Sequence, residues 1–297
     1  MIAYVFAGQG SQRRSPGAGL FARYPDLVQI ADRLLGYRVE ELWTAGDPRL
    51  ARTEYAQPAL FVVNALSYLE INERASVAPD RILGHSLGEI NALHAAGVFD
   101  FETGVRLAQR RGACMAELGE DGTMAALRGD RNRLIPFIAD TPTVYLAAEN
   151  SPHEVVVAGS HEAIAAVQSA VKRDALGTVV PLAVSGPFHS PLMRRARDEF
   201  AAYLEALPLS LPSCPVIANV SGLPYQTGNL RLLMANQLVS PVRWFDSVRH
   251  LLAQGPVLYQ EVGPTRVLSA LIHDIARADC LSADPLSRKS HPCAMDT

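Results

Sequence analysis

Short apolar runs and amphipathic stretches alternate along most of this 297-residue chain. Ile2-Ala3-Tyr4-Val5-Phe6 is apolar throughout, the pattern of a buried strand, and it runs into a loop rich in Gly and Gln. Ala59–Leu69 predicts an apolar helix with Pro58 in its first turn. Arg81-Ile82-Leu83 predicts a short strand ending at Gly84, with a helix from about Leu87. Val216–Val220 and Leu258–Val262 predict two more strands, and Val267–Ala276 a late helix. Strands alternating with helices predict an α/β domain with a largely parallel sheet.

One stretch breaks this rhythm. The pattern predicts strand Met124–Leu127, helix Asn132–Ala139, strand Val144–Ala148, strand Glu154–Ala158, helix Ala163–Lys172 and strand Val179–Val184. That β-α-β-β-α-β order is ferredoxin-like. The expected organisation is therefore a catalytic core from residues 1–122 and 187–282, with a small ferredoxin-like unit, 123–186, inserted beside a cleft. Residues 283–297 turn polar, with Pro285 and Pro292, and read as a disordered tail.

Composition narrows the function classes. The formal net charge is −3, with 48% hydrophobic and 19% charged residues. Nothing there resembles the basic balance of a nucleic-acid binder. Cys114, Cys214, Cys280 and Cys293 show no C-x-x-C spacing and have no His placed for a zinc site, so no metal is expected. Such sparse thiols fit a reducing cytoplasm. No apolar run approaches the ~18–20 residues of a membrane span, and Ile2–Ala7 is too short for a signal sequence.

Candidate chemistry begins at Gly84-His85-Ser86-Leu87-Gly88, a G-x-S-x-G pattern lying between a predicted strand and a predicted helix. A nucleophile elbow needs glycines because the turn is tight and the serine must project from its tip. The alternative is a Gly-rich turn with an incidental serine. A serine nucleophile needs a base, and His189 stands out where the chain would return to the cleft, in Ser185-Gly186-Pro187-Phe188-His189-Ser190. A structural role in a Pro-rich loop is its alternative. No Asp announces itself as a third member, and a carbonyl could hold the imidazole instead. His85 adjoins Ser86 and reads as a binding or packing residue.

Asp100 can cap a helix from Phe101 to about Leu118, with Phe101, Val105, Ala108, Gly112 and Met115 as its apolar stripe. Arg106 and Arg110 point away from that stripe, whereas Arg111 lies at its edge, roughly 80° from Phe101. A partly buried guanidinium requires an anionic partner. That partner is either a structural Asp or Glu, or a substrate carboxylate held by two parallel N–H···O bonds.

Six segments occur in a recognisable order: Phe6-Ala7-Gly8-Gln9-Gly10-Ser11-Gln12, Gln57-Pro58-Ala59-Leu60, Gly84-His85-Ser86-Leu87-Gly88-Glu89, Gln109-Arg110-Arg111-Gly112, Asn150-Ser151-Pro152 and Gly186-Pro187-Phe188-His189-Ser190. Together, over residues 1–280, they resemble the malonyl-CoA:acyl carrier protein transacylases and the acyltransferases of polyketide synthases. The likeness is greatest to free-standing acyltransferases that serve polyketide modules in trans. A housekeeping fatty-acid transacylase uses the same chemistry.

The resemblance implies a hydrolase-like α/β core with a ferredoxin-like insertion. It implies Ser86 as nucleophile, His189 as base, and the main-chain N–H groups of Gln9 and Leu87 as oxyanion hole. Arg111 would grip the malonyl carboxylate, Gln57 and Asn150 would line the site, and the Gln237 carbonyl would orient the histidine. Leu87 and Phe188 match the malonyl-selective pattern. Malonyl-CoA and an acyl carrier protein would be the partners of a monomeric enzyme with no metal or bound cofactor. An editing hydrolase or a non-catalytic docking protein are the rival functions; Arg111 argues against the first, and intact Ser86 and His189 against the second.

Overall fold

The structure, a computed structural model, describes residues 1–12, 19–44, 47–119 and 121–282, so the tail expected over 283–297 lies outside it. The chain opens with β1 (Ile2–Phe6), then α1 (Leu20–Arg23), α2 (Pro25–Leu35), α3 (Val39–Thr44) and α4 (Thr53–Arg74). Next come β2 (Arg81–Gly84), α5 (Gly88–Ala95) and α6 (Phe101–Glu117). The insertion follows as β3 (Thr123–Arg128), α7 (Arg131–Ala139), β4 (Val144–Ser151), β5 (Glu154–Gly159), α8 (His161–Arg173) and β6 (Thr178–Pro181). The chain then returns through α9 (Arg194–Glu205), β7 (Val216–Ile217), α10 (Leu230–Asn236), α11 (Trp244–Leu252), β8 (Leu258–Val262) and α12 (Val267–Ser282).

Two sheets result. The first has the order β7-β2-β1-β8, with every pairing parallel. Its central strands carry unbroken apolar residues because helices cover both faces. The second is antiparallel in the order β4-β5-β3-β6. Along β3, Ala125 and Leu127 join a small core with Leu134, Val157, Ile164 and Val167, while Met124 and Ala126 face the main core. This period of two lets one sheet serve two cores. The α/β class and the ferredoxin-like insertion are as the sequence predicts.

Local chemistry explains the helix starts. The Asp100 carboxylate accepts from Thr103 N–H at 2.8 Å, capping α6 as expected. Asp130 and Ser160 cap α7 and α8 in the same way.

Several boundaries differ from the pattern. Helix α4 begins at Thr53, so Pro58 stands inside it rather than in its first turn. Its ring costs one backbone hydrogen bond, which a helix buried over most of its length can absorb. Strand β7 stops at Ile217, because Asn219 leaves the sheet to bond the Gly84 carbonyl and the Ser86 N–H. Strand β6 stops at Pro181, and α12 runs six residues past Ala276.

The insertion is stapled to the core through β4. Glu149 N–H donates to Val242 O and Val242 N–H to Ala147 O, each at 2.9 Å. Arg131 bonds Glu149 and lies 4.6 Å from the Phe245 ring centre. Register shifts fall between Leu146 and Ala148 and between Glu149 and Ser151, so irregular pairing flanks Asn150. Among the described residues, no helix is long and apolar enough to cross a membrane.

The turn joining β2 to α5 fixes everything that follows. A Cβ on Gly88 would lie 1.9 Å from the Phe6 carbonyl oxygen, and one on Gly84 would lie 1.9 Å from the Gly88 carbonyl carbon. Backbone meets backbone there, and neither can yield. Gly88→Ala is therefore expected to cost at least about 2 kcal/mol, lowering Tm by about 4–8 °C in a thermal melt. An unchanged Tm would show that the turn has slack.

Candidate active site

Ser86 sits at the tip of that turn with φ 52°, a left-handed conformation rarely adopted by a residue with a side chain. Such strain persists only where surroundings over-determine it, and here they do. Asn219 Oδ1 accepts from Ser86 N–H at 2.8 Å, and Gln237 Nε2 donates to the Ser86 carbonyl at 2.9 Å. Ser86 keeps partial exposure, and α5 begins two residues later.

His189, 103 residues away in sequence, brings Nε2 to 2.8 Å from Ser86 Oγ. Its own φ is 58°. Nδ1 lies 2.7 Å from the Gln237 carbonyl oxygen. A carbonyl can only accept, so Nδ1 carries the proton and Nε2 is left to accept from the serine. Burial, with the Arg111 guanidinium adding to it, pushes the imidazole down to about 3. It is neutral at neutral pH, the state a base must start from.

Arg111 is fully buried, deeper than the stripe-edge position suggests. Gly112 allows this, since α6 lies against the Thr53 carbonyl and the Glu54 Cα where a Cβ would make tight contacts. Its partners are neutral. One terminal nitrogen donates to Gln57 Oε1 at 2.7 Å, and the other to Gln237 Oε1 at 2.7 Å and Ser86 Oγ at 3.3 Å. Its Nε has no partner among the described residues. Burial lowers the guanidinium to about 10, still charged at neutral pH. Of the two partners the sequence left open, a structural carboxylate at bonding distance is absent among the described residues.

The remaining candidates cluster around this pair. Gln9 Nε2 bonds Thr53 Oγ1 at 3.2 Å, and Thr53 Oγ1 meets Ser185 Oγ at 3.1 Å. The main-chain N–H groups of Gln9 and Leu87 have no acceptor among the described residues. Gly8 packs so closely on the elbow that a Cβ there would lie 2.4 Å from His85 O. His85 Nε2 lies 2.9 Å from Asn150 Oδ1, and Asn150 Nδ2 donates to Glu154 at 3.0 Å. Burial lowers His85, so its ring is neutral. Phe188 is 4% exposed and packs in the main core.

Two residues escaped sequence reasoning. Asn219 holds both sides of the elbow, and no spacing points to it. Glu89 is 1% exposed, accepts from Asn219 N–H at 2.7 Å and bonds Gln237 Nε2. Burial pushes its carboxyl up to about 7. Its signal was a carboxylate three residues past the serine, in a helix with no other Asp, Glu, Lys or Arg. Among the described residues, no cluster of His, Cys, Asp or Glu could hold a metal ion.

A parallel α/β sheet whose strand–turn–helix bears a strained serine bonded to histidine places the chain among hydrolase-like α/β proteins. More narrowly, the chain belongs to the acyl transferase domain family, whose model matches residues 3–289. It is 42% identical to the polyketide biosynthesis malonyl CoA-acyl carrier protein transacylase BaeC of Bacillus velezensis, over 93% of this chain and 96% of that one. The crystal structure of a malonyl CoA-acyl carrier protein transacylase from Burkholderia pseudomallei matches with TM-score 0.89 and 40% identity, covering 93% and 98% of the two chains. A malonyl-transacylase in complex with its type II PKS acyl-carrier protein matches with TM-score 0.86 and 35% identity, covering 93% of each chain.

The His189 geometry carries a pH expectation. The folded value near 3 lies below the ordinary 6.5, so unfolding takes up a proton between those limits. Stability therefore falls as pH drops across that window. Glu89 acts oppositely: raised from 4.5 to about 7, it costs stability as pH rises through that range. An NMR titration of the His189 ring is expected to show no inflection between about pH 5 and 8. An inflection near 6.5 would contradict the buried, neutral assignment.

Proposed function

We propose that this protein moves a malonyl group from coenzyme A to the phosphopantetheine thiol of an acyl carrier protein, by way of an acyl-serine. The single observation that supports it most is a buried Arg111 guanidinium, bonded to no carboxylate among the described residues, 3.3 Å from the Ser86 hydroxyl. A hydrolase of neutral esters has no use for that charge. A diacid donor does.

In this reading His189 Nε2 takes the Ser86 proton as Oγ attacks the thioester carbonyl. The N–H groups of Gln9 and Leu87 receive the oxyanion, helped by the N-terminus of α5. Losing one such donor typically raises the barrier by about 2.7–4 kcal/mol. The C–S bond breaks, and His189 returns its proton to the departing thiolate. The carrier's thiol then gives its proton to His189 and attacks the acyl-serine; the acyl C–O bond breaks and His189 returns that proton to Ser86 Oγ. The Gln237 carbonyl holds the imidazole throughout, in the place an aspartate takes in a triad.

Arg111 selects the donor. Gln57 takes one N–H of one terminal nitrogen and Gln237 one of the other. The second N–H on the Gln57-bonded nitrogen has no partner among the described residues, and that on the Gln237-bonded nitrogen makes only the longer 3.3 Å contact to Ser86 Oγ. A carboxylate that displaces this contact can receive both in parallel. A neutral acyl group would leave this charge buried and unpaired. Leu87 and Phe188 shape the wall beside the acyl group, and His85 and Asn150 brace the elbow's flank.

Every proton and charge in these steps is handled by a named group of this chain, so the reading needs neither metal nor bound organic cofactor. The names of BaeC and of the complexed malonyl-transacylase support a polyketide carrier as acceptor. The unbridged Cys114 and Cys214 suit a reducing compartment, and the reading places a monomeric, trans-acting enzyme in the cytoplasm.

Incubation with malonyl-CoA is expected to raise the intact mass by one malonyl adduct, located on Ser86 by peptide mapping. Ser86→Ala should stay unlabelled, and a labelled alanine variant would refute the nucleophile. Arg111→Ala should lose about 100-fold in kcat/KM for malonyl-CoA, roughly 2.7 kcal/mol, while gaining relative activity with acetyl-CoA. An unaltered preference across those thioesters would remove the selector role.

A further inference from the structure

The reaction outlined above gives Glu89 no part, yet this buried carboxylate contacts both residues that hold the elbow. One oxygen accepts from the Asn219 main-chain N–H at 2.7 Å, and the other from Gln237 Nε2. Two titratable side chains face it: Arg111, across the Gln237 amide, and the Tyr225 phenol. Gln237 Nε2 also donates to the Ser86 carbonyl at 2.9 Å and to Asn219 Oδ1 at 3.2 Å. Three acceptors thus surround one amide nitrogen, while its oxygen meets the Arg111 guanidinium at 2.7 Å.

The direction of that amide matters. In its ionised form Glu89 only accepts, and a guanidinium only donates. Flipping the Gln237 amide would set its oxygen against Glu89 and its NH2 against Arg111, two repulsive contacts in place of two bonds. We propose that Glu89 is a positioning residue for donor selection: by locking the Gln237 amide, it holds the Arg111 guanidinium aimed at the donor's free carboxylate. This rests on the reading of Arg111 as the carboxylate's partner.

Two effects oppose each other at this position. Removing Glu89's charge alone would raise the positive potential at Arg111 and favour a diacid donor. Removing the lock would let the amide turn and the guanidinium drift. The two N–H groups of that nitrogen, shared among three acceptors, hold the amide in one orientation, which makes the lock dominant. The same Gln237 fixes His189 through its main-chain carbonyl, which side-chain rotation leaves in place.

The test compares kcat and KM for malonyl-CoA and acetyl-CoA in wild type, Glu89→Gln, Gln237→Met, their double variant and Arg111→Ala. Glu89→Gln is expected to lower the malonyl-over-acetyl preference at least tenfold, carried by a higher KM for malonyl-CoA. Gln237→Met keeps the main-chain carbonyl but severs the link, and is expected to lower the preference similarly, with the double variant no worse than either. Equal proportional losses with both donors, or a rise in malonyl preference, would overturn the inference. If Arg111→Ala abolishes the preference while both single variants keep it, only the role of Glu89 falls. If Arg111→Ala also keeps it, the reading of Arg111 falls first. Should Glu89→Gln fail to fold, Glu89→Asp, which keeps the charge but shortens its reach to the Gln237 amide, takes its place: a fall in malonyl-over-acetyl preference supports the lock and an unchanged preference overturns it.

Discussion

A guanidinium with no exposed surface and, among the described residues, no carboxylate within bonding distance is the constraint on which this site is organised. Burying a charge without a counter-ion is costly. The chain meets that cost with dipoles: the side-chain oxygens of Gln57 and Gln237 each lie 2.7 Å from a terminal nitrogen. Glu89 adds opposite charge at one amide's remove. The arrangement is satisfied enough to fold and charged enough to favour an arriving anion. Helix α6 can carry Arg111 so deep because Gly112 and Gly104 let it approach α4, where a Cβ on Gly104 would strike the Phe61 ring.

The same residues that hold Arg111 also hold the serine and the histidine. Gln237 touches Arg111 through its side-chain oxygen, the Ser86 carbonyl through its nitrogen and His189 through its main chain. Asn219 closes the other side of the turn. Selection and nucleophile activation are therefore mechanically joined, and left-handed backbone at both Ser86 and His189 is sustained by one buried network. The wider fold serves this geometry. The parallel sheet delivers the ends of β1 and β2 side by side, and the insertion, tied through Val242, brings Asn150 to His85.

Much of this was legible in the residues. Apolar runs such as Ile2–Phe6 predict strands because a parallel sheet is buried on both faces, and the ferredoxin-like order follows from period-two strands around amphipathic helices. Ser86, His189 and Arg111 could be singled out because a tight Gly-flanked turn, a lone loop histidine and an arginine on an apolar stripe each break a local rule. The failures share a cause. The early end of β7 at Ile217 and the contacts of Asn219 depend on residues over a hundred positions apart, which no local pattern records. Arg111's neutral partners were equally invisible, since Gln57 and Gln237 lie 54 and 126 residues from it. Glu89 carried a signal, the one acidic or basic side chain besides His94 in its helix, but nothing in its spacing named its contacts.

The account stands on direct pairing between Arg111 and the free carboxylate of a donor. Calorimetric binding to the Ser86→Ala protein, where no acyl-enzyme can form, measures that pairing without any chemical step. Malonyl-CoA is expected to bind at least about tenfold more tightly than acetyl-CoA, a margin that one charge-assisted bond of ~1.5 kcal/mol would supply. Equal affinity for the two thioesters would contradict the account.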